Sequence, residues 1–458
     1  MRDHRGALGL RSWPGLADSG HAFIDPQTAP SRQHPPATPH YPQRYTMSES
    51  ADEGSISKRH ALTFVTITVL IDVIGFGIVM PVIPAFLMEI TGTDLASASR
   101  WGGRLLVVYA VLQFLFAPVL GNLSDRFGRR PLLLVSLFMF GVNYLISAFA
   151  ASLAVLFIGR MLTGIAASTY SVANALVADV SPPEERAQNF GLLGMAFGIG
   201  FILGPTIGGF LGEWDTRAPF FVAAALAFVN AAYGFFALKE TLPEARRRPF
   251  DLRRANPVGA LLQIRRYPVL TWVLVALLVY NVSHHVYPSN WNFYTIEKFG
   301  WSEIDIGLSM GLVGVLMAIV QGWLIRIVIP RLGEHRTAFV GMSAAVLAYI
   351  GIAFAPNSLT VYLWCVVSSL AGLVMPALQG IMSNTVDQSE QGELQGILAS
   401  LAAVGAIFGP LLMTETFALF TGSNAPVYFP GAAFIVAGAL AFVSVTIFAG
   451  NVRRLATS

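Results

Sequence analysis

Two ionisable side chains stand deep inside apolar stretches of the sequence, Asp72 in the first long run and Arg160 in the fourth. A charged side chain at the centre of a membrane costs about 2.5–3.5 kcal/mol on insertion scales, so such residues usually serve a function. Because desolvation favours a neutral carboxyl group, Asp72 can take up and release protons as its surroundings open and close. We predict that Asp72 and Arg160 couple proton movement; the alternatives are a hydrogen-bonded structural Asp72 and a snorkelling Arg160.

Two adjacent histidines and several aromatic residues are further candidates. His284 and His285 in the seventh run could titrate near neutral pH or line a cavity, and a structural role is an equal alternative. Glu415, near the end of the eleventh run, is predicted to be an interfacial residue. Aromatic side chains could stack on a flat ligand or anchor the chain at the membrane surface. These are Tyr280, Tyr287, Trp291 and Trp323.

The composition requires a membrane around these residues. Of the 458 residues, 54% are hydrophobic and 12% are charged, whereas soluble domains carry about 25% charged residues. About 20 apolar residues cross a bilayer as one helix, because backbone polar groups in lipid must bond within the chain. Twelve spans are predicted. They lie near 61–88, 103–121, 132–150, 153–175, 190–212, 219–238, 269–292, 304–328, 337–355, 359–382, 394–419 and 427–449.

Three segments lie outside the spans. Residues 1–57 are rich in proline and polar residues and are predicted to be a disordered extension, with Met47 as a hypothetical translation start. Residues 239–268 carry eight basic and three acidic residues, which is typical of a cytoplasmic linker against anionic headgroups. Residues 451–458 are predicted to be a cytoplasmic tail.

Lysine and arginine residues concentrate on one side of the predicted spans. The opposite side holds only Arg100, Arg104, Arg217 and Lys298. The positive-inside rule therefore predicts that both termini are cytoplasmic in a multi-pass cell membrane protein, with a bacterial inner membrane as the expected location. The net charge of +3 follows from this topology, so no nucleic-acid partner is predicted.

The two halves of the chain repeat each other at a constant offset of 205 residues. Parallel repeats of six spans place a substrate site near the membrane midplane, between the halves. The predicted fold is therefore an all-α membrane protein whose twelve transmembrane helices form two six-helix bundles, 58–238 and 269–450. The matching pairs are Arg126 with Arg331, Gly128 with Gly333, Gly191 with Gly396, and Gly204-Pro205 with Gly409-Pro410.

A basic turn between the second and third predicted spans, Gly121 to Pro131, contains an aspartate, Asp125. The glycines permit a tight reversal and the arginines hold the turn at the cytoplasmic face. A topology loop alone would need no aspartate. The turn resembles the signature loop of the major facilitator superfamily, whose Asp and Arg latch the two halves together in one transport state. The resemblance implies a latch of Gly121, Asp125, Arg126, Gly128, Arg129 and Arg130.

Two other segments resemble motifs of the drug:proton antiporters in that superfamily. Residues 71–77, followed by Pro81 and Pro84, resemble the first-helix motif, and the glycine-rich stretch 194–209 resembles the fifth-helix motif, which is associated with export. The resemblance implies helix packing through Gly200, Gly204, Pro205, Gly208 and Gly209.

The run Tyr109 to Pro118, leading into the basic turn, is similar to the tetracycline-efflux transporters. That resemblance places Asp72, Gln113, Arg160 and Gln321 at functional positions within the membrane. Asn143 stands where many tetracycline exporters carry an acid, and the eighth and ninth spans contain no intramembrane His or Asp. The predicted substrate cavity comprises Gln113, Asn143, His284, His285, Gln321 and Trp323.

Motifs for other function classes are missing from the sequence. There is no phosphate-binding Gly-x-x-x-x-Gly-Lys-Ser/Thr loop and no Cys/His cluster with metal-ligand spacing. We therefore predict a protein that is not an enzyme, needs no cofactor or metal, and draws energy from a gradient.

The predicted function is proton-coupled antiport, exporting small amphipathic compounds or drugs by alternating access. The partners are then a small-molecule substrate, protons and the lipid bilayer, and the resemblance implies a monomer. One alternative is a proton symporter or facilitator for a small metabolite, which an imposed pH gradient would distinguish by the direction of accumulation. Another is a membrane receptor or sensor, in which Asp72 and Arg160 would be dispensable.

Overall fold

The computed structural model describes residues 47–167, 169–182, 185–250, 259, 263–387 and 390–455, and these residues form helices joined by short turns, without strands. The α-helices are α1 Met47–Val79, α2 Ile83–Thr91, α3 Leu95–Phe127, α4 Arg129–Ala148, α5 Leu153–Ala166, α6 Thr169–Val180, α7 Arg186–Trp214, α8 Ala218–Ala237, α9 Thr271–His284, α10 Val286–Phe299, α11 Glu303–Ile319, α12 Ile325–Phe354, α13 Ser358–Ser369, α14 Val374–Thr385, α15 Gln391–Thr421 and α16 Ala432–Leu455. A π-helix, Val320–Leu324, joins α11 to α12.

Twelve membrane-crossing segments can be followed through the described residues. Nine helical segments there are long and apolar enough to cross a membrane. One of them, Glu303–Phe354, contains two spans, because the chain reverses at Gly333, where φ is 74°. Two further spans are each built from a pair of short helices, α5 with α6 and α9 with α10. We number the spans 1 to 12 in chain order.

Prolines break the first span of each half at the same place. Span 1 is interrupted between α1 and α2, and Pro84 lies in the first turn of α2. Span 7 is interrupted at His285, and Pro288 lies in the first turn of α10. Proline has no N–H and clashes with the carbonyl group four residues earlier, so the helix before it cannot continue undisturbed.

The N-terminal and linker predictions fall only partly on described residues. Residues 47–57 form the beginning of α1 and not irregular chain, whereas residues 1–46 lie outside the described residues. In the linker, residues 244–246 and 263–266 form short 3-10 helices, and residues 251–258 and 260–262 lie outside the described residues. The predicted tail is helical as far as Leu455.

Helix α7, which is span 5, contacts span 1 through a row of glycines. A Cβ atom placed on Gly200 or Gly204 would lie 2.8 Å from an atom of α1, and one on Gly208 would overlap a backbone carbonyl of α1. The absence of side chains lets the two backbones approach closely, as in membrane helix pairs generally. The contacts are Gly200 with Val73, Gly204 with Ile74 and Gly208 with Ile78.

The repeated half shows the corresponding arrangement. Gly409 of span 11 packs against span 7, where an added Cβ atom would lie 3.1 Å from the carbonyl oxygen of Val282. Gly128 and Gly333, which also correspond in the sequence, both have positive φ, 104° and 74°. The internal repeat therefore extends to backbone conformation at the turns.

The two halves meet through spans 2 and 11 and through spans 5 and 8. We call the side of the bundle that carries residues 239–250 and 263–266 the linker face, and the opposite side the far face. At the far-face end of spans 2 and 11, Gly103 packs directly on Thr414, and Glu415 pairs with Arg100 at 3.0 Å and with Arg104 at 3.5 Å.

Spans 5 and 8 also pack most closely towards the far face. A Cβ atom on Gly209 would lie 2.5 Å from the carbonyl oxygen of Glu303, at the far-face start of span 8. Towards the linker face of the same helix, Cβ atoms on Gly191, Gly194 and Gly198 would meet nothing within 4 Å. The contacts between the halves are thus concentrated at the far face.

We expect Gly208→Ala to lower the stability of the folded protein, whereas Gly194→Ala should not. Overpacking a tight helix contact costs about 1–3 kcal/mol, while a free helical glycine replaced by alanine gains about 0.5–1 kcal/mol. Both substitutions lie in α7, so they are matched. The thermal unfolding midpoint in detergent checks them: it should fall for Gly208→Ala and hold or rise for Gly194→Ala. Equal midpoints would contradict the packing role of Gly208.

Candidate functional site

A cavity of about 160 Å³ lies between the two halves. Pockets for drug-sized ligands usually have volumes of roughly 300–1,000 Å³, so a ligand of that size must widen this cavity or extend out of it. Its wall comes mainly from spans 1 to 4, with spans 7 and 8 closing the other side. The lining residues are Phe76, Val79, Met80, Ile83, Gly102, Leu105, Leu106, Tyr109, Phe140, Asn143, Tyr144, Arg160 and Thr163 from the first half, and Tyr287, Pro288, Ser289, Asn292, Phe293 and Met310 from the second.

Two tyrosines connect the predicted proton-coupling residues. Arg160 lines the cavity itself, and Asp72 lies one helical turn before Phe76, which also lines it. Tyr144 lies against span 1 at Gly75, three residues after Asp72, and Tyr109 packs on Gly164, four residues after Arg160. The structure therefore brings Asp72 and Arg160 into one site.

Neither charged side chain has an ion-pair partner in that site. Within the described residues, neither Asp72 nor Arg160 takes part in an ion pair within 4.0 Å. Both side chains are only partly shielded from solvent. An unpaired charge at this depth is costly unless water, a proton or a ligand neutralises it. Asp72 and Arg160 are therefore suited to binding a proton or a charged ligand.

Asn143 contributes an unused hydrogen-bond acceptor to the same wall. Its side chain is buried, and its Oδ1 atom has no hydrogen-bond partner in the structure. The amide lies against Gly159, the neighbour of Arg160, where an added Cβ atom would be 2.6 Å from Oδ1. A buried acceptor without a partner costs about 1–3 kcal/mol, and a ligand donor or a water molecule would remove that cost.

The other predicted cavity residues lie outside the lining. Gln113 is on the same face of α3 as Tyr109, but one turn nearer the linker face, and it is partly exposed. Gln321 and Trp323 lie in the π-helix of span 8. Gln321 is close to Gly372 of span 10, and Trp323 is 63% exposed. Their roles in substrate binding remain predictions.

The two histidines lie behind the cavity wall, inside the second half. The ring of His284 is 5.7 Å from that of Tyr287, which lines the cavity, and its Nδ1 atom is 3.4 Å from the Tyr349 hydroxyl oxygen. The Nδ1 atom of His285 is 2.7 Å from the Asn281 carbonyl oxygen, and its ring packs on Gly409. His285 is thus part of the contact between spans 7 and 11.

The basic turn of the first half is held by contacts within that half. Arg129 pairs with Asp125 at 2.6 Å and with Asp179, at the end of span 4, at 3.1 Å. The guanidinium group of Arg126 lies over the ring of Phe127. An added Cβ atom at Gly121 would meet nothing within 4 Å. In this conformation the described ion pair of Asp125 therefore connects no second-half residue.

A carboxylate that the sequence did not single out caps this turn. Glu240, just beyond span 6, accepts hydrogen bonds from the backbone N–H groups of Arg129 at 2.9 Å and Arg130 at 3.2 Å, the first two residues of α4. Negative charge at a helix N-terminus is stabilising. The carboxylate fills the space beside Gly128, where any added Cβ atom would overlap it. The sequence signal for such an acidic partner is the pair of arginines, Arg129 and Arg130, at the start of α4.

The sequence analysis also did not single out most of the aromatic residues that line the cavity. Phe76 and Tyr144 were not singled out, although Phe76 follows Asp72 by four residues and Tyr144 is adjacent to Asn143. Residues four apart share a helix face, so the spacing from Asp72 was a usable signal. Asn292 and Phe293 were likewise not singled out.

The comparisons with known proteins agree with this architecture. The family model described as Major Facilitator Superfamily matches residues 65–410 and 331–454. The tetracycline resistance protein, class C, of Escherichia coli is 38% identical, covering 85% of this chain and 96% of that protein. Multidrug resistance protein 2 of Bacillus subtilis (strain 168) is 26% identical, covering 78% of this chain and 89% of that protein.

A solved structure gives the same result for the fold. The crystal structure of the human organic anion transporter MFSD10 (TETRAN) superimposes with a TM-score of 0.63 and 26% identity, covering 85% of this chain and 99% of that one. The fold class predicted from the sequence is confirmed, and so is the resemblance on which it was partly based. With its matching family model, its two six-span halves and its basic turn, the chain belongs to the major facilitator superfamily.

Proposed function

We propose that this protein is a proton-coupled antiporter that exports small amphipathic compounds by alternating access. The observation that carries the proposal is the unpaired Asp72 carboxyl group beside a cavity between the two halves. A carboxyl group in that position can exchange a proton for a substrate, provided that the cavity opens to each side of the membrane in turn. The relatives named for tetracycline and multidrug resistance support export over uptake, so a symporter or facilitator is not favoured.

In the proposed cycle, Asp72 binds the proton and Arg160 sets the electrostatic balance of the site. The hydroxyl groups of Tyr109 and Tyr144, which line the cavity with Arg160, can donate hydrogen bonds to an ionised carboxylate. A substrate that binds when Asp72 is ionised is displaced when a proton returns. One proton moving through about 100 mV supplies about 2.3 kcal/mol, which supports a concentration ratio of roughly fifty-fold.

The linker face is the cytoplasmic face in this proposal. It carries most of the lysine and arginine residues, which supports a cytoplasmic position for both termini in a bacterial inner membrane. The structure, closed at the far face, then corresponds to an inward-open state. We propose that Asp125, with the rest of the basic turn, engages the second half when the linker face closes, and that one chain performs the cycle as a monomer.

Asp72→Asn should abolish export driven by a pH gradient, because the amide cannot bind and release a proton. The measurement is drug efflux from inverted vesicles of an efflux-deficient host, with and without an uncoupler. The matched control is Asp94→Asn at the far-face start of α3, where Asp94 accepts a hydrogen bond from the Ser97 N–H at 3.0 Å. Asparagine is an equally good helix cap, so this control should transport normally. Full gradient-driven efflux by Asp72→Asn would refute the role of Asp72.

Glu415→Gln should loosen the far face, because Glu415 alone pairs with Arg100 and Arg104 of the other half. Exposed ion pairs contribute roughly 0.2–1 kcal/mol each, so losing both pairs should raise the population opened at the far face roughly two- to thirtyfold. The measurement uses Ile83→Cys, a cavity residue, in a Cys365→Ala background, labelled in intact cells by a membrane-impermeant maleimide.

The control for the far-face experiment is Glu89→Gln. Glu89 pairs with Arg217 at 3.0 Å on the same face, but both residues belong to the first half. Labelling of Ile83→Cys should therefore accelerate with Glu415→Gln and stay unchanged with Glu89→Gln. An equal change in both variants would mean that the pairs of Glu415 do not hold the halves together.

A further inference from the structure

We propose that the cavity selects zwitterionic aromatic compounds, whose anionic group binds Arg160 and whose cationic group takes the place of the proton at Asp72. This inference deepens the proposed function, on which it rests, by naming a substrate class. It follows from the charges at the site, the chemistry of the walls and the direction in which a ligand charge would couple to a proton.

The cavity presents two opposite charges that do not neutralise each other. Arg160 is the only charged residue among those that line it, and Asp72 stands one turn beyond the lining at Phe76. The two do not pair with each other, and neither has an ion-pair partner within 4.0 Å among the described residues. Tyr109 and Tyr144 line the cavity together with Arg160. A ligand that carries both charges would satisfy the two groups together.

The rest of the wall suits the flat, apolar body of such a ligand. Six rings line the cavity, and two methionine side chains, Met80 and Met310, add adaptable contacts. Asn143 adds a polar amide to the lining beside these rings. Ring faces also favour a cationic group placed over them. The six rings are Phe76, Tyr109, Phe140, Tyr144, Tyr287 and Phe293.

The sign of proton coupling excludes a purely anionic substrate. An anion bound at Arg160 would make the surroundings of Asp72 more negative and would favour its protonation. Because linkage is reciprocal, a proton on Asp72 would then favour binding of the anion, and the two would travel together. That is symport, the reverse of the proposed antiport.

A purely cationic substrate has the right coupling but leaves Arg160 without a partner. A cation at Asp72 competes with the proton, as antiport requires. The same cation is repelled by the guanidinium group of Arg160, whose charge remains uncompensated inside the protein. A zwitterion competes with the proton at Asp72 and neutralises Arg160, so it meets both conditions.

The experiment uses one fluorescent scaffold in three charge states. A coumarin amino acid with a free ammonium and a free carboxylate is the zwitterion, its methyl ester is the cation, and its N-acetyl derivative is the anion. Binding is measured by fluorescence anisotropy on the purified full chain in detergent, and transport is measured in proteoliposomes with an imposed pH gradient. We expect the zwitterion to bind about tenfold or more tightly than either derivative, the size of one charge-assisted contact.

Arg160 variants separate recognition from folding. Arg160→Gln should lose about tenfold in affinity for the zwitterion while its affinity for the methyl ester stays equal or rises, because the ester no longer meets a repelling charge. Arg160→Lys keeps the charge and should retain part of the preference. A general loss of structure would weaken both ligands alike, so the ratio of the two affinities reports on recognition.

The outcomes also separate this inference from the function on which it rests. Equal binding of the zwitterion and the ester, or a preference of the unchanged chain for the anion, would overturn the substrate class even if a pH gradient drives export. A zwitterion preference that Arg160→Gln leaves intact would overturn the assignment of Arg160. Selective binding of the zwitterion without any response to the pH gradient would instead refute antiport and leave the recognition site standing.

Discussion

The close backbone contact of α7 with its neighbours is the interaction on which this structure depends. In a membrane, apolar side chains gain little by leaving lipid, so helices associate through close packing of small residues. Gly200, Gly204 and Gly208 provide that packing against span 1, and Gly209 provides it against span 8 of the other half. Helix α7 therefore joins the helix that carries Asp72 to the interface between the halves.

This arrangement connects the chemistry of the site to movement of the halves. Val73 and Ile74, which directly follow Asp72, are the residues on which Gly200 and Gly204 pack. A change of charge or hydration at Asp72 therefore acts within one helical turn of the α7 contact. Rigid close-packed contacts transmit small shifts instead of absorbing them, so the proposed proton site and the interface can influence each other without a long pathway.

The ion pairs at the far face connect the two halves, whereas those of the basic turn at the linker face lie within the first half. At the far face, Glu415 bridges the halves through Arg100 and Arg104. At the linker face, Arg129 binds Asp125 and Asp179 within the first half, and Glu240 caps α4. Exposed ion pairs contribute little individually, which suits contacts that must form and separate during a cycle. The hydrogen-bonded cap at Glu240 is more suitable for holding the turn in shape throughout.

The sequence by itself determined the membrane location, the number of spans and the twofold repeat, because hydrophobic length and glycine spacing are local properties of the chain. It also singled out Asp72 and Arg160 as candidates, since a charge within an apolar run is conspicuous. Only the tertiary structure decided that Tyr109 and Tyr144 line the cavity with Arg160, while Gln113, His284 and Trp323 lie outside it. The physical reason is that the rotation of each helix, set by its breaks and by its close glycine contacts, selects which face meets which neighbour. The sequence of a single helix does not specify which neighbouring helix each of its faces meets.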